Sequence, residues 1–280
     1  MRIEDLPSLS ETVKSQGLGA NKKLGQHFLL DMNLTDKIAR LAEPLAGYNV
    51  AEIGPGPGGL TRALLIRGAE KLTVIEMDER FIPALAEIGD RSDGRLEIAQ
   101  GDALKFDIAA HLPVPRKIVA NLPYNVGTKM LLNWVTASPV FWSQMVLMFQ
   151  LEVAQRVVAA AGEAHYGRLA VLCQSVANCR MAFEVPARAF TPPPKVDSAV
   201  IVLEPLETPF EDLKTLGRVT QAAFGQRRKM LRRSLRPLAE QSGIILEDWL
   251  NACDVDPKAR PETLPVAAFQ ALASQLKQNL

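Results

Sequence analysis

The sequence predicts an α/β chain: a mostly parallel sheet covered by helices, followed by a small all-helical domain. Three observations lead there. From residue 31 to residue 205, strand-like runs alternate with helical patterns, the signature of parallel strands joined by crossover helices. The strand ends carry glycines, acids and an Asn-Leu-Pro-Tyr turn. Beyond Pro205 and Pro209 no β-rich run recurs and helical periodicity takes over.

Residues 1–25 read as a mobile leading segment. Gly17, Gly19 and Gly25, with the polar run Asn21-Lys22-Lys23, disfavour regular structure. Asp31 can cap a helix that carries Leu34, Ile38, Leu41 and Leu45 on one face, closed by Pro44 and Gly47. Residues 48–53 form a first strand, followed by a glycine-rich turn and a helix near 60–67. Residues 72–75 form a second strand, with a helix around 79–88. Residues 96–98 and 117–120 are a third and a fourth strand. A helix then leads to a fifth at 145–149, and further strands are expected at 181–185 and 198–203. Helical patterns cover 210–223, 226–239, 246–252 and 264–277. The expected division is a leading segment 1–30, a sheet domain 31–205 and a helical domain 206–280.

Composition narrows the function classes. The 280 residues are 48% hydrophobic, ample for a packed core, and no apolar run is long enough for a membrane span. Residues 1–23 hold no signal-peptide core, and Glu4, Asp5 and Glu11 argue against a transit peptide. Cys173, Cys179 and Cys253 form no disulfide framework, and His111 and His165 have no partner at metal-ligand spacing. The expectation is a reduced, cytoplasmic protein without a metal. A net charge of +1 argues against a nucleic-acid partner if read as an average. Residues 224–236 contradict that average, with six cations and no acid. Within them Lys229, Arg232, Arg233 and Arg236 fall at i, i+3, i+4, i+7, a basic stripe on one helical face. Four like charges there repel unless an anion covers them. Together with Arg227 and Arg228 they are candidate phosphate contacts that position RNA without reading its sequence.

The first strand runs into Glu52-Ile53-Gly54-Pro55-Gly56-Pro57-Gly58-Gly59. Such glycines permit a tight turn and close approach of a ligand, and the next helix directs free N–H groups at it. Glu76, at the end of the second strand, stands where an acid accepts hydrogen bonds from ribose hydroxyls. The turn alone fits both a dinucleotide and S-adenosylmethionine. Asp102, after the third strand, can accept from an adenine amino group, or simply cap a turn.

Asn121-Leu122-Pro123-Tyr124 follows the fourth strand. All four features sit at carboxyl ends of strands, where open α/β sheets bind ligands. Pro123 forces Leu122 into an extended conformation, which can turn the Leu122 carbonyl outward beside the Asn121 amide. Two adjacent acceptors suit an exocyclic –NH₂, and the Tyr124 ring offers a base a stacking face. Held by both protons, an aromatic amine can turn its lone pair toward a methyl donor. The positive charge that develops is favoured by the Tyr face. Dehydrogenases need no such clamp.

The chain resembles the KsgA-type 16S rRNA adenine dimethyltransferases. The matching stretches are 24–29, 52–61, 74–78, 101–104 and 121–128. Residues 152–156, 166–169, 190–198, 224–229 and 260–262 match as well. The resemblance implies a Rossmann-like class I S-adenosylmethionine-dependent methyltransferase domain with a small C-terminal helical domain. It implies dimethylation at N6 of two adjacent adenosines in the 3′-terminal hairpin loop of 16S rRNA, with a pre-30S particle as substrate and a monomeric enzyme. Gln26, His27 and Leu29 would close over the cofactor, and Gly54 and Gly56 would carry its methionine end. Glu76 would take the ribose and Asp102 the adenine. Asn121, Leu122 and Tyr124 would hold the target base, with Phe190 on its other face. His27 stands where the family often has Asn. Taken alone, Phe190 reads as a core residue and His27 as a satisfied histidine.

Overall fold

The computed structural model describes residues 2–21, 25–226 and 229–278. Its chain packs as two compact units. One takes in the chain up to Met130 together with Phe141–Ala154 and Arg180–Glu204. The other takes in Leu131–Val140, Gln155–Cys179 and the chain from Pro205 onward. A single cut near residue 205 therefore does not describe how the chain packs, because two earlier segments belong with the C-terminal part.

The leading segment is structured, contrary to expectation. A 3₁₀ turn, Ile3–Asp5, precedes α1 (Leu9–Ser15), which is closed by a capping box between Ser8 and Glu11. Its apolar face is buried, with Leu9 only 1% exposed. The guanidinium of Arg62 donates to the carbonyl of Pro7 at 2.6 Å and to Thr12 Oγ1 at 3.3 Å. The Ser-x-x-Glu signal was present in the sequence and outweighs the glycines that follow it.

β1 (Phe28–Leu29) leads into α2 (Met32–Leu41), where Asp31 accepts the N–H of Asn33 as the cap. The sheet then builds in order: β2 (Asn49–Ile53), α3 (Gly59–Ile66), β3 (Lys71–Glu76), α4 (Ile82–Gly89), β4 (Leu96–Gln100), α5 (Ile108–His111), β5 (Arg116–Asn121), α6 (Gly127–Val135) and β6 (Gln144–Gln150). Two helices, α7 (Leu151–Val158) and α8 (Arg168–Gln174), lead to β7 (Ala177–Val185), β8 (Phe190–Thr191) and β9 (Ser198–Pro205). The seven-stranded sheet has the order β4-β3-β2-β5-β6-β9-β7. The ladders from β4 to β6 are parallel, while β9 runs antiparallel to β6 with Leu147 opposite Ile201. β1 and β8 pair apart from it, Leu29 opposite Phe190.

This order places the site. From β2 the chain moves outward through β3 and β4, then crosses back to β5 on the other side of β2. The connections after β2 and β5 diverge, and a crevice opens between them at the carboxyl ends of the strands. β2 is buried along its whole length, as a central parallel strand covered on both faces must be.

In the second unit α9 (Leu213–Phe224), α12 (Leu246–Ala252) and α13 (Val266–Gln278) bury Leu216, Val219, Trp249, Phe269 and Leu272. The Trp249 indole donates to the Leu272 carbonyl at 3.0 Å. The helix expected over 226–239 is not continuous. It is split into α10 (Leu231–Ser234) and α11 (Arg236–Gln241). Pro237 has no N–H to continue the first ladder and sits where a new helix begins. Lys229 precedes both helices, so the expected single stripe is instead spread over a loop and two short helices.

Candidate active site

One cleft in the first unit is lined by Gln26, His27, Leu29, Gly54, Gly56, Glu76, Asp102, Asn121, Leu122 and Tyr124. Four strand ends and the segment around β1 thus bring together the residues singled out in the sequence, with one exception. Phe190 is not on the cleft wall. It is 3% exposed, paired with Leu29 and packed into the core of the sheet domain. Its ring is apolar, and burial in the core is favoured over a place at the surface of the cleft.

The glycine turn is shaped for close approach. Gly56 takes a positive φ of 53°, and a Cβ there would stand 3.5 Å from the Phe28 ring. At Gly59 a Cβ would stand 2.9 Å from the Leu29 carbonyl oxygen, a clash with backbone. The turn therefore brings β1 directly over the start of α3.

Glu76 is buried, and each of its oxygens accepts a backbone N–H. Gly56 donates at 3.0 Å and Asp78 at 2.8 Å. Burial pushes its carboxyl up from the usual value, against the pull of those two bonds. Each oxygen keeps a further lone pair, so a vicinal diol can bridge them. Glu52 lies beneath, with Thr61 Oγ1 donating to it at 2.7 Å. Burial, together with the nearby charge of Glu76, raises it to about 8. Glu52 and Met77 both line the cleft without having been singled out as site residues. Their signals were the acid two residues before Gly54 and the residue directly after Glu76.

Asp102 accepts the N–H of Leu104 on Oδ1 at 2.9 Å, which orients the carboxylate beside the cleft. Gln26 donates to Asp78 Oδ2 at 2.9 Å, and Arg80 holds the same carboxylate at 2.6 Å. That guanidinium keeps Asp78 down at about 2. Opposite, the Asn121 Nδ2 donates to the His27 carbonyl at 3.3 Å. The Tyr124 hydroxyl meets Ser198 Oγ at 2.6 Å, and burial pushes its phenol up. The His27 and Tyr124 rings stack with centroids 5.5 Å apart.

These residues fit a ribose-bearing cofactor: a glycine cradle that a Cβ would crowd, a buried carboxylate already paired with backbone N–H groups, and a second acid in reach of a base. Away from the cleft, Lys229, Arg232, Arg233 and Arg236 are exposed, while Arg227 and Arg228 lie outside the described residues. Among the described residues no group of three or more His, Cys, Asp or Glu side chains could hold a metal ion, and no helix is long and apolar enough to cross a membrane.

The family described as ribosomal RNA adenine dimethylase matches residues 17–277. The chain belongs to the ribosomal RNA adenine dimethylase family. Ribosomal RNA small subunit methyltransferase A of Sinorhizobium medicae (strain WSM419) is 53% identical over 277 residues, 98% of this chain and 99% of that protein. The protein of the same name from Maricaulis maris (strain MCS10) is 52% identical over 277 residues, 98% of this chain and 96% of its own. Among solved structures, a dimethyladenosine transferase from Plasmodium falciparum superposes with a TM-score of 0.78 at 26% identity, covering 90% of this chain and 98% of that one. The 23S rRNA methyltransferase ErmE superposes at 0.67 and 26% identity, covering 90% of this chain and all of its own. The fold is thus that of the class I S-adenosylmethionine-dependent methyltransferases, which this dimethylase-family member carries with its additional helical segments.

Proposed function

We propose that this chain transfers methyl groups from S-adenosylmethionine to N6 of two adjacent adenosines in the 3′-terminal hairpin loop of 16S rRNA, giving N6,N6-dimethyladenosine. One observation carries the reading. Asn121, Leu122 and Tyr124 line the same cleft as Gly56, Glu76 and Asp102, so an amine clamp faces a nucleoside-cofactor cradle. The 53% identity to small-subunit enzymes over nearly the whole chain supports the choice of RNA.

When bound, S-adenosylmethionine supplies a methyl group on a sulfonium. Gln26, His27 and Leu29 would cover it, Gly54 and Gly56 would accommodate its methionine end, and Glu76 would accept from its ribose and Asp102 from its adenine. The target adenosine leaves its stack, a small cost in a loop, and lies on Tyr124. Asn121 Oδ1 and the Leu122 carbonyl accept hydrogen bonds from its amino group and pull the nitrogen toward a tetrahedral shape. The methylated nitrogen is strongly acidic and gives its proton to water, so the cleft needs no base. Ser198 holds the Tyr124 hydroxyl and with it the ring plane.

The substrate is a pre-30S particle, met in the cytoplasm by a monomer. The exposed cations of the second unit contact RNA phosphate, and a net charge of +1 leaves little affinity for RNA in general. A second reading, 23S rRNA, is favoured by the ErmE superposition alone. Labelled S-adenosylmethionine, offered with undermethylated 30S particles and, in a parallel reaction, with unmethylated 23S rRNA, separates the two. Label is expected on adjacent adenosines near the 3′ end of 16S rRNA. Transfer to 23S rRNA, or none, overturns the proposal.

A further inference from the structure

His27 makes three contacts on the clamp side of the cleft. Its Nδ1 lies 2.7 Å from the Pro192 carbonyl oxygen. A carbonyl only accepts, so Nδ1 carries the proton and donates. Its ring stacks on Tyr124 with planes 27° apart. Its backbone carbonyl accepts the Asn121 Nδ2 at 3.3 Å.

The last contact decides which way the Asn121 amide faces. With its NH₂ committed to His27, Oδ1 is turned to the opposite side. An exocyclic amine needs that orientation, because the flipped amide would set NH₂ against NH₂. The ring contact covers one face of Tyr124 and leaves the other for a base. The Pro192 contact anchors the imidazole to the chain that continues to Ser198, which holds the Tyr124 hydroxyl. Asn121 and Tyr124 are thus each braced by groups far away in sequence, and His27 is common to both.

We propose that His27 is a positioning residue of the amine clamp, setting the Asn121 amide through its carbonyl and the Tyr124 face through its ring. The inference rests on the adenine-N6 reading above and adds to the cofactor-side role that the resemblance implies for His27.

Three variants divide the two side-chain contacts, and all three keep the backbone carbonyl, whose position the ring contacts set. His27→Phe keeps a ring and loses the Pro192 bond, His27→Asn keeps a donor and loses the ring, and His27→Ala loses both. Cofactor affinity is read by calorimetry with S-adenosylhomocysteine. Single-turnover transfer to undermethylated 30S particles is read by mass spectrometry that resolves mono- from dimethyladenosine. His27→Ala should slow transfer about 100-fold, the scale of a small misplacement of a reacting group. It should also leave monomethyladenosine as the main product, with the rate defect persisting at saturating cofactor. His27→Phe and His27→Asn should each restore part of the rate. Unchanged rate and product, or lost cofactor affinity with a full rate at saturating cofactor, overturns the proposal. The side-chain NH₂ resonance of Asn121, identified by its loss in Asn121→Ala, reads the brace without turnover and should shift in His27→Ala. If wild type labels no 16S rRNA, the functional reading fails, and this resonance alone decides the role of His27: a shift supports the brace and an unmoved resonance overturns it.

Discussion

The two walls of the cleft are held in different ways. On the cofactor side, Glu76 takes its bonds from Gly56 and Asp78, and Asp102 from Leu104. These partners are backbone N–H groups; Asp78 and Leu104 lie two residues from their acids, and Gly56 lies 20 residues from Glu76 at the end of the neighbouring strand. On the clamp side, Asn121 leans on His27, 94 residues away, and Tyr124 on Ser198, 74 residues away. That wall exists only once the whole sheet domain is assembled. The contrast is one of distance along the chain: the clamp wall is braced by the His27 backbone carbonyl and the Ser198 hydroxyl, both far from the residues they hold.

Breaking the clamp at its centre should have the largest effect. Asn121→Ala removes one of the two amine acceptors and should cost about 100-fold or more in transfer rate, with S-adenosylhomocysteine binding near wild type. If binding were lost with the rate, the two walls would not be separable. Glu76→Ala strikes the other wall. It should weaken cofactor binding about 10- to 100-fold by calorimetry, because a charged acceptor is lost and two buried N–H groups are orphaned. The pair Arg232→Glu with Arg233→Glu lies on neither wall. It should weaken binding to 30S particles and flatten its salt dependence, measured by filter binding over a salt series, while cofactor affinity stays put. Ser198→Ala removes a brace and leaves the Tyr124 ring in place, so a loss of about fivefold in single-turnover rate is expected.

The smallest effect concerns Glu52, beneath the cofactor wall. In the fold its carboxyl rises from 4.5 to about 8, so it keeps its proton where the unfolded chain has already lost it. Folding then takes up a proton between those values, and stability falls as pH rises through the window. Glu52→Gln mimics the protonated acid and should flatten the decline of melting temperature between pH 4.5 and about 8. An equal decline in both proteins would place the titration elsewhere.

The same contrast explains what could be read from the sequence. The cofactor wall was legible because glycine spacing and acids at strand ends are local signals. Four of its residues, Gly54, Gly56, Glu76 and Asp102, line the cleft as expected. The Asn121-to-Tyr124 turn was legible as chemistry, but its supports were not, since nothing near residue 121 points to residue 27 or 198. Phe190 shows the converse. Its motif pointed to the base, while pairing with Leu29 buries it in the core. α1 starts at a Ser8–Glu11 capping box, a local signal that prevails over the glycines at 17, 19 and 25. In the basic segment the cation spacing, which ends at Arg236, suggests one helix, but Pro237 begins a new one.

β2 and β5 are adjacent rungs of one ladder, with Ile53 opposite Ala120. The glycine turn and the Asn121-to-Tyr124 turn therefore start from neighbouring strands, about 4.8 Å apart. A one-residue slip of β5 against β2 would turn every side chain of β5, Asn121 included, to the opposite face. The pairing fixes the two points from which the turns grow, and the contacts that hold each turn set the final distance across the cleft.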